Sequence, residues 1–450
     1  MTGPAEVRFG TDGLRGLAGA APLDATTLRR VGSALGVWLE TLGKVDKRVL
    51  LGNDGRSSAS WIAEALAQGL AAADAHCVDV GLCTTPALAF LAGTEPCAAA
   101  IMISASHNPA EDNGIKIFGP KGTKLQDAAE REIERLALVT APLGLGSGRT
   151  QPRRELVDRY VEHLANAFPS LDLAGTKIVV DAANGGGSKV APLVLRGFGA
   201  DVVEVSCRPD GTNINLACGA LHPETLARRV VEEKAALGLA LDGDGDRGIF
   251  VDETGAVRDG DAVLAALALA LDVSKALTKR TVVATVMSNL GLSVLLAEHG
   301  ITLLQTPVGD KNVVAAMRDG GFALGGEQSG HIVFSGKGRL TGDGLFTALQ
   351  LLALPGARSS GYAALLGRMK RFPQVLLNVV VGTKPPLESL PEVQAAAKAV
   401  ESALAGRGRV VLRYSGTEKL CRVMVEGEHE GEVHEHAQSI AAAVRRALPE

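Results

Sequence analysis

The chain has 450 residues, 46% of them hydrophobic, which is enough for several cores and about three domains, with room for a fourth. Its 46 basic and 50 acidic side chains leave a net charge of −4, with no basic cluster of the nucleic-acid-binding kind and no long acidic tail. Aromatic residues make up 3%, which argues against a stacking platform for bases or sugars, so a sugar bound here is expected to be held by polar groups.

The first segment, Met1 to Gly10, carries no apolar signal core. Next comes a glycine-rich loop, Phe9 to Gly16, whose Arg15 can neutralise a phosphate. A helix over Leu28 to Leu42, a strand over Arg48 to Gly52 ending at Asn53-Asp54-Gly55-Arg56, and a helix over Ser58 to Ala73 follow. The run Cys97 to Ile103 is small and apolar, fit for a strand over Ala98 to Ser104 inside a parallel sheet. It leads into Ile103-Ser104-Ala105-Ser106-His107-Asn108-Pro109, where Asn108-Pro109 breaks the strand. Ser106 there reads either as a nucleophile or phosphate carrier presented by a rigid scaffold, or as a serine capping a helix. His107 is a poor base for it, because adjacent side chains in a strand point to opposite faces.

A polar, glycine-containing stretch, Leu143 to Arg154, separates the first block from the second. A strand over Lys177 to Asp181 is followed by Asn184-Gly185-Gly186-Gly187, a helix to about Leu195, and a strand over Asp201 to Val205. The glycine run can hold phosphate on its backbone N–H groups, but a plain strand-to-helix turn is the simpler reading. After the short apolar strand Leu237 to Leu241 comes Asp242-Gly243-Asp244-Gly245-Asp246-Arg247. Carboxylates at alternate positions of a glycine-rich loop repel one another unless a cation sits among them, and hard oxygen donors select magnesium when phosphate shares the shell. This prediction tips Ser106 toward the reactive reading. A calcium EF-hand also begins Asp-x-Asp-x-Asp and would find Glu253 at its twelfth position, but its sixth position is Arg247 where glycine is needed, and the flanks read as strands.

The third block holds a buried helix over Ala262 to Leu271, which is too short to span a bilayer, within Gly260 to Leu271. It continues with a strand over Thr281 to Met287, a helix over Gly291 to Glu298 and a strand near Ile301. Strand-like Phe322 to Leu324 runs into Gly325-Gly326-Glu327-Gln328-Ser329-Gly330-His331, a loop able to bond several sugar hydroxyls at once. His331 at its end is able to trade protons near neutral pH, although a lone histidine is more often structural. Beyond Pro355 to Gly361 the last block reads strand (Val375 to Val381), helix (Pro391 to Leu404), strand (Arg409 to Tyr414), strand (Leu420 to Glu426) and helix (Glu432 to Leu448). Between its last two strands Arg413-Tyr414-Ser415-Gly416-Thr417-Glu418, with Arg422 beyond, reads equally as a phosphate grip or as an ordinary hairpin with exposed arginines. The six cysteines form no C-x-x-C pair and read as reduced thiols of a cytoplasmic protein.

The alternation of helices and strands, with ligand loops at strand ends, is α/β logic. Together the loops at Phe9 to Gly16, Ile103 to Lys116, Asp181 to Pro192, Asp242 to Arg247, Gly325 to His331, Thr341 to Gly344 and Arg413 to Gly427 resemble the α-D-phosphohexomutase superfamily. Gln328 and the Ser-Gly-Thr-Glu run favour its glucosamine-phosphate branch over the mannose/glucose branch. The chain departs from the family pattern at Tyr414 and Lys419, where prolines are common, and at Lys311-Asn312, where Arg and Tyr are usual. The resemblance implies an α/β fold of four domains around a central cleft: three similar sheet domains over 1–150, 151–254 and 255–370, and a smaller sheet-and-helix domain over 371–450.

The resemblance also implies roles for single residues. Ser106 would be a phosphoserine, and Asp242, Asp244 and Asp246 would bind Mg2+ together with a phosphate oxygen on Ser106. Glu327 and Ser329 would hold the sugar, while Arg413, Ser415, Gly416, Thr417 and Arg422 would hold the non-reacting phosphate. Lys116, Arg15 and His331 would transfer protons and neutralise charge. The implied reaction interconverts glucosamine 6-phosphate and glucosamine 1-phosphate through a sugar 1,6-bisphosphate, in a homodimer with no nucleic-acid or membrane partner. A phosphate-ester hydrolase using Ser106 and the metal, or a non-enzymatic metal-dependent binding protein, would use the same loops differently.

Overall fold

The computed structural model describes residues 7–10, 12–43, 46–139, 148, 150–336, 340–415 and 419–449. Among these, strands and helices alternate into four sheets. The first comprises β1 (Leu14–Leu17), β2 (Arg48–Asn53), β3 (His76–Leu82), β4 (Ala99–Ile103), β5 (Asp112–Phe118) and β6 (Thr150–Pro152), in the order β1-β5-β4-β2-β3-β6. The second comprises β7 (Lys177–Asp181), β8 (Asp201–Val205), β9 (Leu237–Leu241), β10 (Gly248–Asp252) and β11 (Val257–Arg258), in the order β11-β10-β9-β7-β8. The third comprises β12 (Thr281–Thr285), β13 (Thr302–Thr306), β14 (Leu324–Gly326) and β15 (Ile332–Phe334), in the order β13-β12-β14-β15. The fourth is antiparallel throughout: β16 (Gln374–Val380), β17 (Arg409–Tyr414) and β18 (Leu420–Glu426), with β18 in the middle.

The first three sheets share one plan. Parallel strands end in a strand that pairs antiparallel with the one that follows it: β4 with β5, β9 with β10, and β14 with β15. Every position of β4, β9 and β14 is buried, so these strands need no polar alternation and read as short apolar or small-residue runs. The shared rhythm seen in the sequence is therefore a repeat of topology.

The expected helices and strands appear with shifts of a few residues, as at the helices Ala25–Thr41, Ala59–Ala71 and Gly260–Val273. The strand expected over Thr281 to Met287 stops at Thr285. Ser288 N–H turns back to the Thr285 carbonyl at 3.1 Å, and the Asn289 side chain caps the helix Leu290–Glu298. Sequence reasoning missed β1, β3 and β5, and the helices Thr85–Thr94, Asp127–Val139 and Asp310–Gly320. Asp112-Asn113-Gly114 carries turn-type residues yet opens β5, since pairing with β1 and β4 overrides local propensity. Gly114 is required there: a Cβ would come 2.7 Å from the carbonyl oxygens of both Leu14 and Ser104.

One hydrophobic cluster runs continuously from Leu50 and Phe118 through Tyr160 and Phe250 to Phe346 and Met369, so the first three units share a core. The C-terminal unit has its own, built on Val379, Val423, Val433 and Ile440. It joins the third unit through polar contacts: Leu290 N–H donates to Glu426 at 3.1 Å, and Asn289 and Phe372 exchange bonds at 2.9 and 3.0 Å. All six cysteines are free thiols. No helix among the described residues is long and apolar enough to cross a membrane.

Candidate active site

Each of the three chemical loops is the link between the last parallel strand of its sheet and the antiparallel strand after it. Residues 104–111 join β4 to β5, residues 242–247 join β9 to β10, and residues 327–331 join β14 to β15. Equivalent loops of three units thus meet, as ligand loops do at the ends of parallel strands.

Ser106 is fully buried and left-handed, with φ 53°, a conformation that costs a serine about 1 kcal/mol or more. Neighbours hold it there. Ser106 N–H donates to Ser104 Oγ at 2.8 Å, and Ser104 Oγ donates to Asp54 at 2.6 Å. Arg56, paired with Asp54 at 3.0 Å, donates to the carbonyls of Ser106, Asn108 and Asp112 at 3.1, 2.8 and 2.8 Å. Asn215, from the second unit, donates to the Ser106 and Asn108 carbonyls at 2.8 and 2.9 Å. Ser106 Oγ donates to Asp242 Oδ2 at 2.6 Å. Ser106 thus sits in a loop between two strands and caps no helix. His107 departs from expectation. Its Nδ1 lies 3.3 Å from Ser106 Oγ, because the left-handed backbone at Ser106 abolishes strand alternation. Burial, then Arg247 and Arg15, lower the His107 pKa to about 4, which keeps the imidazole neutral.

Asp242, Asp244 and Asp246 are buried and each offer a carboxylate oxygen within 4.8 Å of the others. Oδ1 of Asp244 and Oδ1 of Asp246 are buried without a hydrogen-bond partner. Such an all-carboxylate set, with lone pairs left over, fits a hard divalent cation. The flanks are the strands β9 and β10, and Glu253 instead accepts the N–H of Ala363 at 2.9 Å, which removes the EF-hand reading. Burial and the two neighbouring carboxylates push the Asp242 pKa well above the ordinary range. Burial acts the same way on Asp244, but Lys116 and Thr85 overcome it and hold that carboxylate low. Thr85, at the start of the helix Thr85–Thr94, donates its hydroxyl to Asp244 Oδ2 at 2.6 Å and its N–H to the Asp244 carbonyl at 2.8 Å.

Lys116, on β5, is buried with Nζ 2.8 Å from Asp244, 3.4 Å from Asp246 and 3.0 Å from Asp12. Burial alone would lower its pKa, but the three carboxylates raise it well above that of a free lysine. Arg15 pairs with Asp12 and reaches Asn108 Oδ1 at 3.4 Å, which places it over the Ser106 loop. Arg247 Nε lies 4.0 and 3.8 Å from Asp242 and Asp246.

In the third loop Glu327 Oε1 accepts the Gly309 N–H at 3.1 Å, Ser329 is exposed, and His331 is buried with Nε2 4.0 Å from Asp310. A cavity of about 750 Å³ is lined by Thr85, Lys124, Asp246, Asp310, His331 and Gly342 among others. The His331 ring lies on the backbone of Gly342, where a Cβ would come 2.2 Å from Nε2. On the expectation that His331 transfers protons, Gly342→Ala should displace the imidazole and lower kcat about 10-fold or more while KM changes little. Steady-state kinetics beside His331→Ala check this, and an unchanged kcat would contradict it.

In the fourth unit Arg413 and Arg422 are direct cross-strand partners of β17 and β18. Like charges facing across a ladder repel, and burial and Arg422 both lower the Arg413 pKa, so an anion between the two relieves the site. Ser415 is buried at the strand end and its carbonyl accepts from Lys384 Nζ at 2.7 Å. The expected phosphate-loop residues Gly416 and Thr417 lie outside the described residues. The Asn184 turn is structural, because the N–H groups of Asn184, Gly185 and Gly186 go to Ser206, Ala182 and Gly243 carbonyls.

Thr85, Arg56, Asn215, Asp12, Lys124 and Asp310 were not singled out as site residues from sequence. They touch the site across long stretches of chain, and only the Phe9 to Gly16 loop, which holds Asp12, and the Asn53 to Arg56 turn at the end of β2 gave a local signal.

Family models described as phosphoglucomutase/phosphomannomutase match four consecutive stretches. They are alpha/beta/alpha domain I over residues 6–140, domain II over 158–255, domain III over 259–372 and the C-terminal domain over 376–443. The phosphoglucosamine mutase of Desulfovibrio desulfuricans is 46% identical over 446 residues, covering 98% of this chain and 99% of its own. A crystal structure of a phosphoglucomutase/phosphomannomutase family protein from Burkholderia thailandensis superposes with TM-score 0.81 at 26% identity, over 97% of this chain and 96% of that one. The N-acetylphosphoglucosamine mutase of Aspergillus fumigatus, solved with GlcNAc-6P and magnesium, superposes with TM-score 0.69 at 21% identity, over 98% of this chain and 96% of that one.

Proposed function

The chain belongs to the phosphoglucomutase/phosphomannomutase family, and on that premise we propose how its residues interconvert glucosamine 6-phosphate and glucosamine 1-phosphate. The observation that carries the proposal is the buried, left-handed Ser106 with its Oγ 2.6 Å from Asp242 of an acidic triad.

Ser106 carries the phosphoryl group. A phosphoserine brings about −2 charge, which three buried carboxylates do not tolerate without cations. Asp242, Asp244 and Asp246 would hold Mg2+ beside that phosphate, and the metal would supply Lewis-acid polarisation of the phosphoryl group. Arg15, Lys116 and Arg247 add fixed positive charge around it, so the spreading charge of the transition state meets charges already in place. Glu327 and Ser329 bind the sugar hydroxyls, and Arg413, Ser415, Gly416, Thr417 and Arg422 bind the phosphate that does not react.

When glucosamine 6-phosphate binds, the bond between phosphorus and Ser106 Oγ breaks as one to the sugar O1 forms. The O1 proton leaves to His331, while Lys116, held protonated by its three carboxylates, and Arg15 neutralise the departing Ser106 Oγ. The resulting 1,6-bisphosphate turns around, and Ser106 Oγ takes the 6-phosphoryl group while O6 regains a proton. The aromatic-poor, polar site suits a ligand that must bind in two orientations. We place the domain divisions near residues 150, 254 and 370, and propose a cytoplasmic homodimer.

The test is turnover of glucosamine 6-phosphate, glucose 1-phosphate and mannose 1-phosphate side by side, with magnesium and the matching bisphosphate. The glucosamine substrate is expected to be preferred by at least about 10-fold in kcat/KM, the scale of a lost polar contact. A preference for glucose or mannose would keep the chemistry and move the substrate assignment to the sister branch. Bulk release of inorganic phosphate would instead mark a hydrolase.

A further inference from the structure

We infer that Lys124 and Asp310 are positioning residues for His331, tying it across the seam between the first and third units to the phosphoserine unit. This rests on the reading of His331 as a proton-transfer group.

Lys124 follows the turn after β5, where Gly119 N–H bonds the Thr123 carbonyl at 2.9 Å and Lys124 bridges back to Phe118, so its backbone is fixed on the first unit. Its Nζ lies 2.5 Å from Asp12 Oδ1 and 2.5 Å from Asp310 Oδ2, a carboxylate of the third unit. Asp310 Oδ2 faces His331 Nε2 at 4.0 Å. On the other side Asp12 Oδ2 lies 3.0 Å from Lys116 Nζ, which reaches Asp244 and Asp246. Ion pairs run from the acidic triad through Lys116, Asp12 and Lys124 to Asp310, with the His331 imidazole 4.0 Å beyond.

Without the ammonium, Asp12 and Asp310 would face each other as like charges in a mostly buried seam, at a cost that moves one of them. Asp12 is also held by Arg15 and Lys116, so Asp310 is the partner that moves, and its movement carries away the group His331 faces. Burial disfavours charge on both Lys124 and Asp310. The Asp12 and Asp310 carboxylates nonetheless raise the Lys124 pKa, and Lys124 and His331 hold Asp310 below the ordinary range, so the link is fully charged. A second seam contact is of the same kind, but its ammonium is held by Glu130 at 2.6 Å and Asp127 at 3.2 Å and not by Asp310, so Lys311 serves as the control.

The test measures kcat and KM for glucosamine 1-phosphate in Lys124→Met, Asp310→Asn and Lys311→Met, each alone and combined with His331→Ala. Lys124→Met and Asp310→Asn are expected to lower kcat about 10-fold or more with little change in KM, and to cost less than about 3-fold further once His331 is alanine. Lys124→Arg is expected to restore most of the rate. Lys311→Met is expected to show the same small effect in both backgrounds. Equal losses with and without His331, a change confined to KM, or no loss would overturn the inference. If Lys124→Met does not fold, the Asp310→Asn cycle decides by the same criterion. A wild-type enzyme inactive on all hexose phosphates would instead sink the functional reading, and this inference with it.

Discussion

Ser106→Ala is expected to lower turnover about 10⁴-fold or more, because it removes the atom that carries the phosphoryl group between the two half-reactions. The loop should keep its shape, since Arg56 and Asn215 grip backbone carbonyls and not the serine side chain. Asp242 keeps the Arg247 N–H at 3.1 Å as a partner after the hydroxyl is gone. The variant should therefore fold, bind substrate and carry no covalent phosphate. Intact-mass spectra and steady-state kinetics read both properties, and near-normal turnover would end the phosphoserine account.

Asp244→Asn is the second large effect, expected to lower kcat by at least about 10²-fold. Asp244 offers a metal-ready oxygen through Oδ1, while Oδ2 is shared by Lys116 and Thr85. The substitution removes the ligand's negative charge and leaves a buried ammonium with one fewer counter-charge. Excess chelator should reduce wild-type activity comparably, and excess magnesium should partly restore the variant. Metal binding also has a pH signature. Burial and the neighbouring carboxylates raise Asp242 above the ordinary range, so protons compete with the cation for this carboxylate. Magnesium affinity should then strengthen as pH rises through the Asp242 titration. Titration calorimetry at several pH values checks this, and full activity in chelator would refute the metal role.

The candidate loops were legible because each follows a run buried on every face, where a strand leaves an apolar or small-residue stretch, and because glycine and proline mark the chain's exit from the sheet. Ser106 and the three aspartates stand out on those grounds, and the two together suggested a phosphate and its cation. What the sequence could not display is pairing at a distance. β5 opens with turn-type residues, so nothing local says that Lys116 sits in a strand facing the acidic loop. Thr85 and Asp244 are 159 positions apart, and Lys124 and Asp310 are 186 apart, and neither pair leaves a periodic trace. His107 was misjudged for a different reason. Strand alternation was applied to a residue that follows a left-handed serine, where it does not hold. Arg413 and Arg422 were visible as arginines near a turn, but only the register of β17 on β18 sets them face to face.

The most direct test of the central claim follows one phosphoryl group. Phosphatase-treated enzyme is incubated with magnesium and ³²P-labelled glucose 1,6-bisphosphate, digested and mapped, and a parallel sample is chased with unlabelled glucosamine 6-phosphate. The account predicts label on the Ser106 peptide that passes during the chase into glucosamine phosphates, with no matching release of inorganic phosphate. Label absent from Ser106, or lost from it as inorganic phosphate, would contradict the account.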